Sequence, residues 1–159
     1  MSENEQATGN GQAPQGGQIV IQKIYIKDAS FEVPSAPGIF QEQGQMDVNL
    51  NLSQKAQPIG DDHYEVVLTV TVTTKVGDKT AYLVEVQQAG IFGIRGLDQP
   101  QTHGALGIFC PNTLYPYARQ AISDLVAQGG FPPLVLQHVN FEAIYAEQMK
   151  KQQEQPQAN

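Results

Sequence analysis

Apolar and polar residues alternate along the first part of the chain and give way to a helical period later on. In "YEVVLTVTVTTKV", Tyr64, Val66, Leu68, Val70, Val72 and Val76 alternate with Glu65, Thr69, Thr71, Thr73 and Lys75. A period of two predicts a strand with one dry and one wet face. Gly77 and Asp78 then predict a two-residue turn that closes a hairpin onto a strand from Lys79 to Gln88. "MDVNLNL" repeats the alternation through Met46, Val48, Leu50 and Leu52, and "QIVIQKIYIK", Gln18 to Lys27, supplies a fourth strand. Between these two lies "DASFEVPSAPGIF", whose Pro34 and Pro37 have no N–H for a ladder. The segment is therefore expected to cross rather than pair, as a crossover loop.

Further on the period changes. Leu114, Tyr117, Ala118, Ala121, Ile122, Leu125 and Val126 follow helical spacing, with Pro116 expected to bend the segment and Gly129, Gly130, Pro132 and Pro133 to stop it. Asn140 is placed to cap a second helix that carries Phe141, Ile144, Tyr145 and Met149 on one side. The expected fold is α+β, a four-stranded antiparallel sheet with a crossover loop, followed by two helices.

One stretch does not fit a simple wet and dry pair of faces. In "LVEVQQAGIFGI", Tyr82, Val84 and Val86 point one way, while Ala81, Leu83, Glu85 and Gln87 point the other. The second set mixes a bare leucine with a carboxylate. That is a poor core and an unusually apolar solvent face, and a surface that docks onto another protein accounts for both.

The ends and the composition narrow the functional classes. Residues 1–18 carry no bulky apolar residue beyond Met1 and are expected to form a disordered tail, with residues 19–149 as one domain and 150–159 as a flexible tail ending beyond Pro156. A net charge of −7 sets the overall field against nucleic acids and anionic membranes. The lone Cys110 excludes an internal disulfide, and the chain has no apolar run long enough for a membrane span, which points to a cytosolic protein. Cys110 with His103 suggests a thiol nucleophile and base, but Cys110 lies between Phe109 and Pro111, the setting of an inert buried thiol. His63, His103 and His138 lack metal-ligand spacing, and "GIFGIRG" lacks both a GxGxxG pattern and a Walker lysine. No metal or cofactor is expected, and neither is an enzyme.

"YIKDASFEVPSAP", "YEVVLTVTVT", "LVEVQQAGIFGI", "GIFCPNTLYPYARQ" and "FPPLVLQHVNFEAIY" resemble, in order and at family spacing, the SecB protein-export chaperones of bacteria. The chain departs from that pattern at Gly44, where the family commonly carries tryptophan, and it contains no Trp. The resemblance implies a homotetramer, a dimer of dimers, that holds precursor proteins unfolded and hands them to SecA, the motor ATPase of the Sec translocase, without using ATP itself. By motif, Asp28, Glu32, Leu83 and Glu85 match the patch that meets SecA's basic, zinc-containing C-terminal tail. Val84, Val86 and Gln88 match the face that keeps the tetramer together.

The helix stripe is too long for one sheet to use fully, so Leu114, Tyr117, Ala121, Ile122 and Leu125 are expected to join that subunit contact. A holdase needs an apolar groove for extended chains. The candidates for it are Ile39 and Phe40 of the crossover, Met46, Val48 and Leu50 of the second strand, and Phe141, Ile144 and Tyr145 of the last helix. Two other classes compete with this reading: a carrier of a small apolar ligand, and an enzyme using Cys110.

Overall fold

A computed structural model describes residues 16–154. Four strands form one antiparallel sheet: β1 (Gln18–Glu32), β2 (Met46–Gly60), β3 (His63–Val76) and β4 (Lys79–Arg95), in the order β1-β4-β3-β2. Since β1 and β2 occupy opposite edges, the segment between them must cross the sheet. It does so through a short 3-10 turn (Gly38–Gln41), which buries Ile39, and Lys79 holds the loop by an ion pair to Glu42 at 2.5 Å.

The hairpin expected at Gly77 and Asp78 is present, with Val76 opposite Lys79 and Gly77 at a φ of +60°. Three of the strands are longer than their periodicity suggests. β1 continues through "DASFE", which the sequence assigns to the crossover, and β2 continues through "SQKAQPIG". β4 runs on to Arg95. Ladder bonds from neighbouring strands sustain these polar or irregular stretches, for which the pattern alone gives no strong signal.

Helices cover one face of the sheet. α1 (Gln99–Gly104), a π turn (Ala105–Phe109) and α2 (Cys110–Gln128) run on from one another, and α3 (Phe141–Glu154) follows after an extended segment. The helical stretch begins well before Leu114 because Asp98 and Gln101 form a reciprocal capping box, with Gln101 N–H donating to Asp98 Oδ1 at 2.8 Å. Pro111 has no N–H to give, so the ladder widens to a π turn just before it. Pro116 lies on the exposed side of α2, where water can serve the carbonyl it leaves without a partner. Asn140 caps α3 as expected, accepting from Ala143 N–H at 3.0 Å. That helix runs to Glu154, so the tail expected from residue 150 is helical for its first part, and residues 155–159 lie outside the described residues. The tail expected over 1–18 likewise falls outside them up to residue 15, and β1 already begins at Gln18.

The core lies between α2 and the inner face of β3 and β4. Val66, Leu68, Val70 and Val72 meet Val84, Val86 and Phe92 across the ladder and pack under Leu114, Ala118, Ile122 and Val126. One residue breaks the alternation read in β4. Ala81, expected beside Leu83, is the extra residue of an irregularity between Thr74 and Lys75, and it is buried.

Candidate functional site

The sheet has two faces of different chemistry, and register decides which residue joins which. On the outer face, away from the helices, Glu32 lies opposite Leu83, Ser30 opposite Glu85, and Asp28 opposite Gln87. The four patch residues expected from sequence therefore share one face. Ser30, Glu32, Thr71, Leu83 and Glu85 line a shallow depression of about 210 Å³. Thr71 donates its hydroxyl to Glu85 Oε2 at 3.1 Å, which aims one carboxylate, while Asp28 and Glu32 stand exposed on the edge strand. Glu32 and Glu85 beside a half-buried leucine, with Asp28 farther along the edge strand opposite Gln87, attract a cationic segment that also carries an apolar side chain. Ser30 and Thr71 were not read from sequence. Their register positions opposite and beside Glu85 are the signal that finds them.

Farther along the same face, Glu65 gathers three donors. Lys27 Nζ lies at 2.8 Å, Gln57 Nε2 at 3.2 Å, and the Tyr25 hydroxyl donates to the other carboxylate oxygen. Lys27 and then Tyr25 hold the Glu65 carboxyl below the usual carboxylate range. Tyr25 is pushed up to about 12 by burial and by the neighbouring carboxylate. Glu65 thus brings no free negative charge to the patch.

The inner face is apolar. Met46, Val48 and Leu50 of β2 lie opposite Val76, Thr74 and Val72, so they point to the helix side. Yet they remain exposed, because α2 sits on β4 and β3 and leaves the β2 margin open. Phe40 of the crossover stands 51% exposed, its ring 5.1 Å from Phe131, which in turn lies 4.9 Å from Tyr82. Two groove candidates move elsewhere. Ile39 is buried in the core, and Phe141, buried against Tyr115, forms with Ile144, Leu52 and Leu68 the wall of a small hollow of about 50 Å³. Ile144 and Tyr145 are half-buried, and Tyr145 lines a cavity of about 290 Å³ with Gln54, Val66, His103 and Leu106.

The residues expected between subunits divide. Val84, Val86 and Gln88 are 1%, 0% and 3% exposed under the chain's own α2, and Leu114 and Ile122 are fully buried against the sheet. None of these five has surface to present to another copy, which corrects their placement at a direct contact: one helix already closes over them. Tyr117 differs. It is exposed on the flank of α2, with Ala121 and Leu125 half-buried against the core and with Phe109, missed from sequence, exposed as well.

Cys110 is fully buried and its thiol is pushed up to about 12 by that burial, while His103 Nδ1 is hydrogen-bonded to the Tyr145 hydroxyl at 2.7 Å. A thiol so hard to ionise is a poor nucleophile. Among the described residues no cluster of His, Cys, Asp or Glu is arranged to hold a metal, and no helix is long and apolar enough to cross a membrane.

Residues 12–152 match the family described as preprotein translocase subunit SecB. The chain belongs to the SecB family. A SecB protein-export protein of Marinobacter nauticus is 52% identical over 155 residues, 98% of this chain and 93% of the relative. Another, from Stenotrophomonas maltophilia, is 49% identical over 156 residues, 96% of this chain and 91% of the relative. The fold is also that of a solved SecB-like chaperone of Mycobacterium tuberculosis in complex with a peptide from an antitoxin. That structure is 20% identical, with a TM-score of 0.59, and the match covers 77% of this chain and 91% of the other. Membership makes the protein a chaperone of protein export and places its sheet and helices within the SecB fold.

Proposed function

We propose that the protein is an ATP-independent holdase that keeps precursor proteins unfolded in the cytoplasm and delivers them to SecA, working as a homotetramer built as a dimer of dimers. The observation that carries this reading is the division of labour between the faces of one sheet: exposed apolar side chains on the helix side, a strip of Met46, Val48 and Leu50 along β2 and Phe40 of the crossover, and the acidic depression at Glu32, Leu83 and Glu85 on the other. A chain that binds the unfolded and not the folded form of a client slows folding by mass action alone, with no hydrolysis. An open strip admits extended segments whose side chains a folded domain keeps inside. Several strips in one assembly make successive contacts intramolecular, so weak and unselective contacts add up. The exposed side of α2 and the uncovered Ile21 and Ile26 of β1 give a second copy apolar surface to cover.

A denatured precursor diluted into the protein without nucleotide tests the reading. Its refolding is expected to be delayed by the unmodified chain and by Glu85→Lys, and not by Val48→Asp combined with Leu50→Asp. Co-sedimentation with SecA is expected to fail for Glu85→Lys alone. Unimpeded refolding with the unmodified chain would defeat the proposal.

A further inference from the structure

We infer that Glu65 is a positioning residue that selects which residue of β1 bulges, and thereby keeps Asp28 in the acidic patch. This rests on the patch being the docking surface proposed above. Strict alternation continued from Ile24 and Ile26 would aim Asp28, Ser30 and Glu32 at the helices. One extra residue resets the faces: Ile26 lies opposite Gln88 and Asp28 opposite Gln87, which leaves Lys27 unpaired in the ladder. Beyond it, Ala29 and Phe31 fall on the inner face opposite Val86 and Val84.

The apolar pattern requires an extra residue between Ile26 and Ala29, but it does not say which. Were Asp28 the extra one, Lys27 would lie opposite Gln87. Every pairing from Ala29 onward would be unchanged, and a cation would stand where the patch now has a carboxylate. The side chains break this tie. Lys27 reaches across β4 to Glu65 on β3 at 2.8 Å, Tyr25 donates to the same carboxylate, and Gln57 joins from β2. Glu65 is only 9% exposed under these three side chains. A carboxylate so covered must keep its cation, and Lys27 serves it from the bulge.

The other bulge of β1 is built in the same way. Gln22 is the extra residue between Ile21 and Lys23, and its Nε2 lies 2.6 Å from Nε2 of His63, again on β3. In both places the residue left out of the ladder is the one whose side chain bridges to β3.

Glu65→Leu and Lys27→Met remove the pin from its two ends, and Glu65→Gln keeps an acceptor without the charge. Backbone NOEs on perdeuterated protein report which residue pairs with Gln87, with no partner present. In Glu65→Leu and in Lys27→Met residue 27 is expected to share the place opposite Gln87 with Asp28, whereas in Glu65→Gln the amide oxygen still accepts from Lys27 and Asp28 is expected to stay there alone. A hexalysine peptide is expected to bind Glu65→Leu about tenfold more weakly at low salt, with a shallower salt dependence, since a patch carboxylate is exchanged for a cation. Retention of the Asp28 to Gln87 pairing alone in both Glu65→Leu and Lys27→Met would overturn the inference. A shifted bulge with unchanged hexalysine affinity would uphold the pin and count instead against the patch as the docking surface.

Discussion

Adjacent residues of β4 illustrate how much facing decides. Glu85 points outward, half-buried and bonded to Thr71, whereas Val86 is fully buried beneath α2. Glu85→Lys is expected to change the urea midpoint little, within about 0.5 kcal/mol as for surface substitutions generally, while abolishing binding of a basic peptide. Val86→Asp places a carboxylate in the core with no partner and is expected to cost several kcal/mol, roughly 3 or more, seen as a large fall in that midpoint. Opening a subunit contact would not relieve it, since the residue lies within its own chain's core. Glu65 makes a prediction in pH. Its carboxyl is held below the ordinary value of 4.5, so its contribution is present above that pH and is lost as pH falls through the lower folded value. Tyr25 is raised from 10.0 to about 12, so its contribution is present below pH 10.0 and disappears as pH rises towards 12. Melting of the unmodified chain against Glu65→Gln and Tyr25→Phe is thus expected to show a plateau of extra stability between those limits, with the Glu65 difference closing on the acid side and the Tyr25 difference on the alkaline side.

Among the elements, α3 is docked by its first half only. Its first two turns dock through Phe141, Ile144 and Tyr145, and beyond them exposed residues predominate. The Tyr145 ring rests on Gly107 in the π turn, where an added Cβ would come within 2.5 Å of it. Gly107→Ala is therefore expected to lift α3, at about 1–3 kcal/mol for overpacking. Hydrogen exchange should quicken in α3 while the β3 and β4 amides keep their protection, because a weakly docked element opens before the sheet does. Equal loss of protection in β3 would mean that α3 and the sheet open as one unit.

For the whole molecule, the two faces are expected to respond differently to salt. Exposed charge pairs are screened over about 8 Å at physiological ionic strength, and apolar burial is not. Affinity for a basic peptide should fall steeply between low and high salt, while capture of a denatured precursor should stay nearly constant. Fluorescence titrations at several salt concentrations measure both. Tyr117→Arg lies where α2 is exposed, so sedimentation is expected to show smaller assemblies whose circular dichroism is unaltered.

The kind of elements, their order and the family are legible in the pattern of residues. Alternation in β3 and in the first part of β4 was strong because each strand buries one face, and the helical stripe ending in Val126 was legible for the same reason. The motifs also name the four residues of the acidic patch. What those residues lie near depends on the folded chain. Ladder bonding carries β1 and β2 through polar segments with no period of their own, a bulge turns Asp28 outward, and Ala81 leaves its expected face at an irregularity. Whether an apolar side chain is core or surface was equally beyond the pattern: Val48 and Val86 read alike in sequence, and α2 covers only the second. Periodicity records which side of a strand is apolar, whereas burial depends on what another segment, distant in sequence, lays across it.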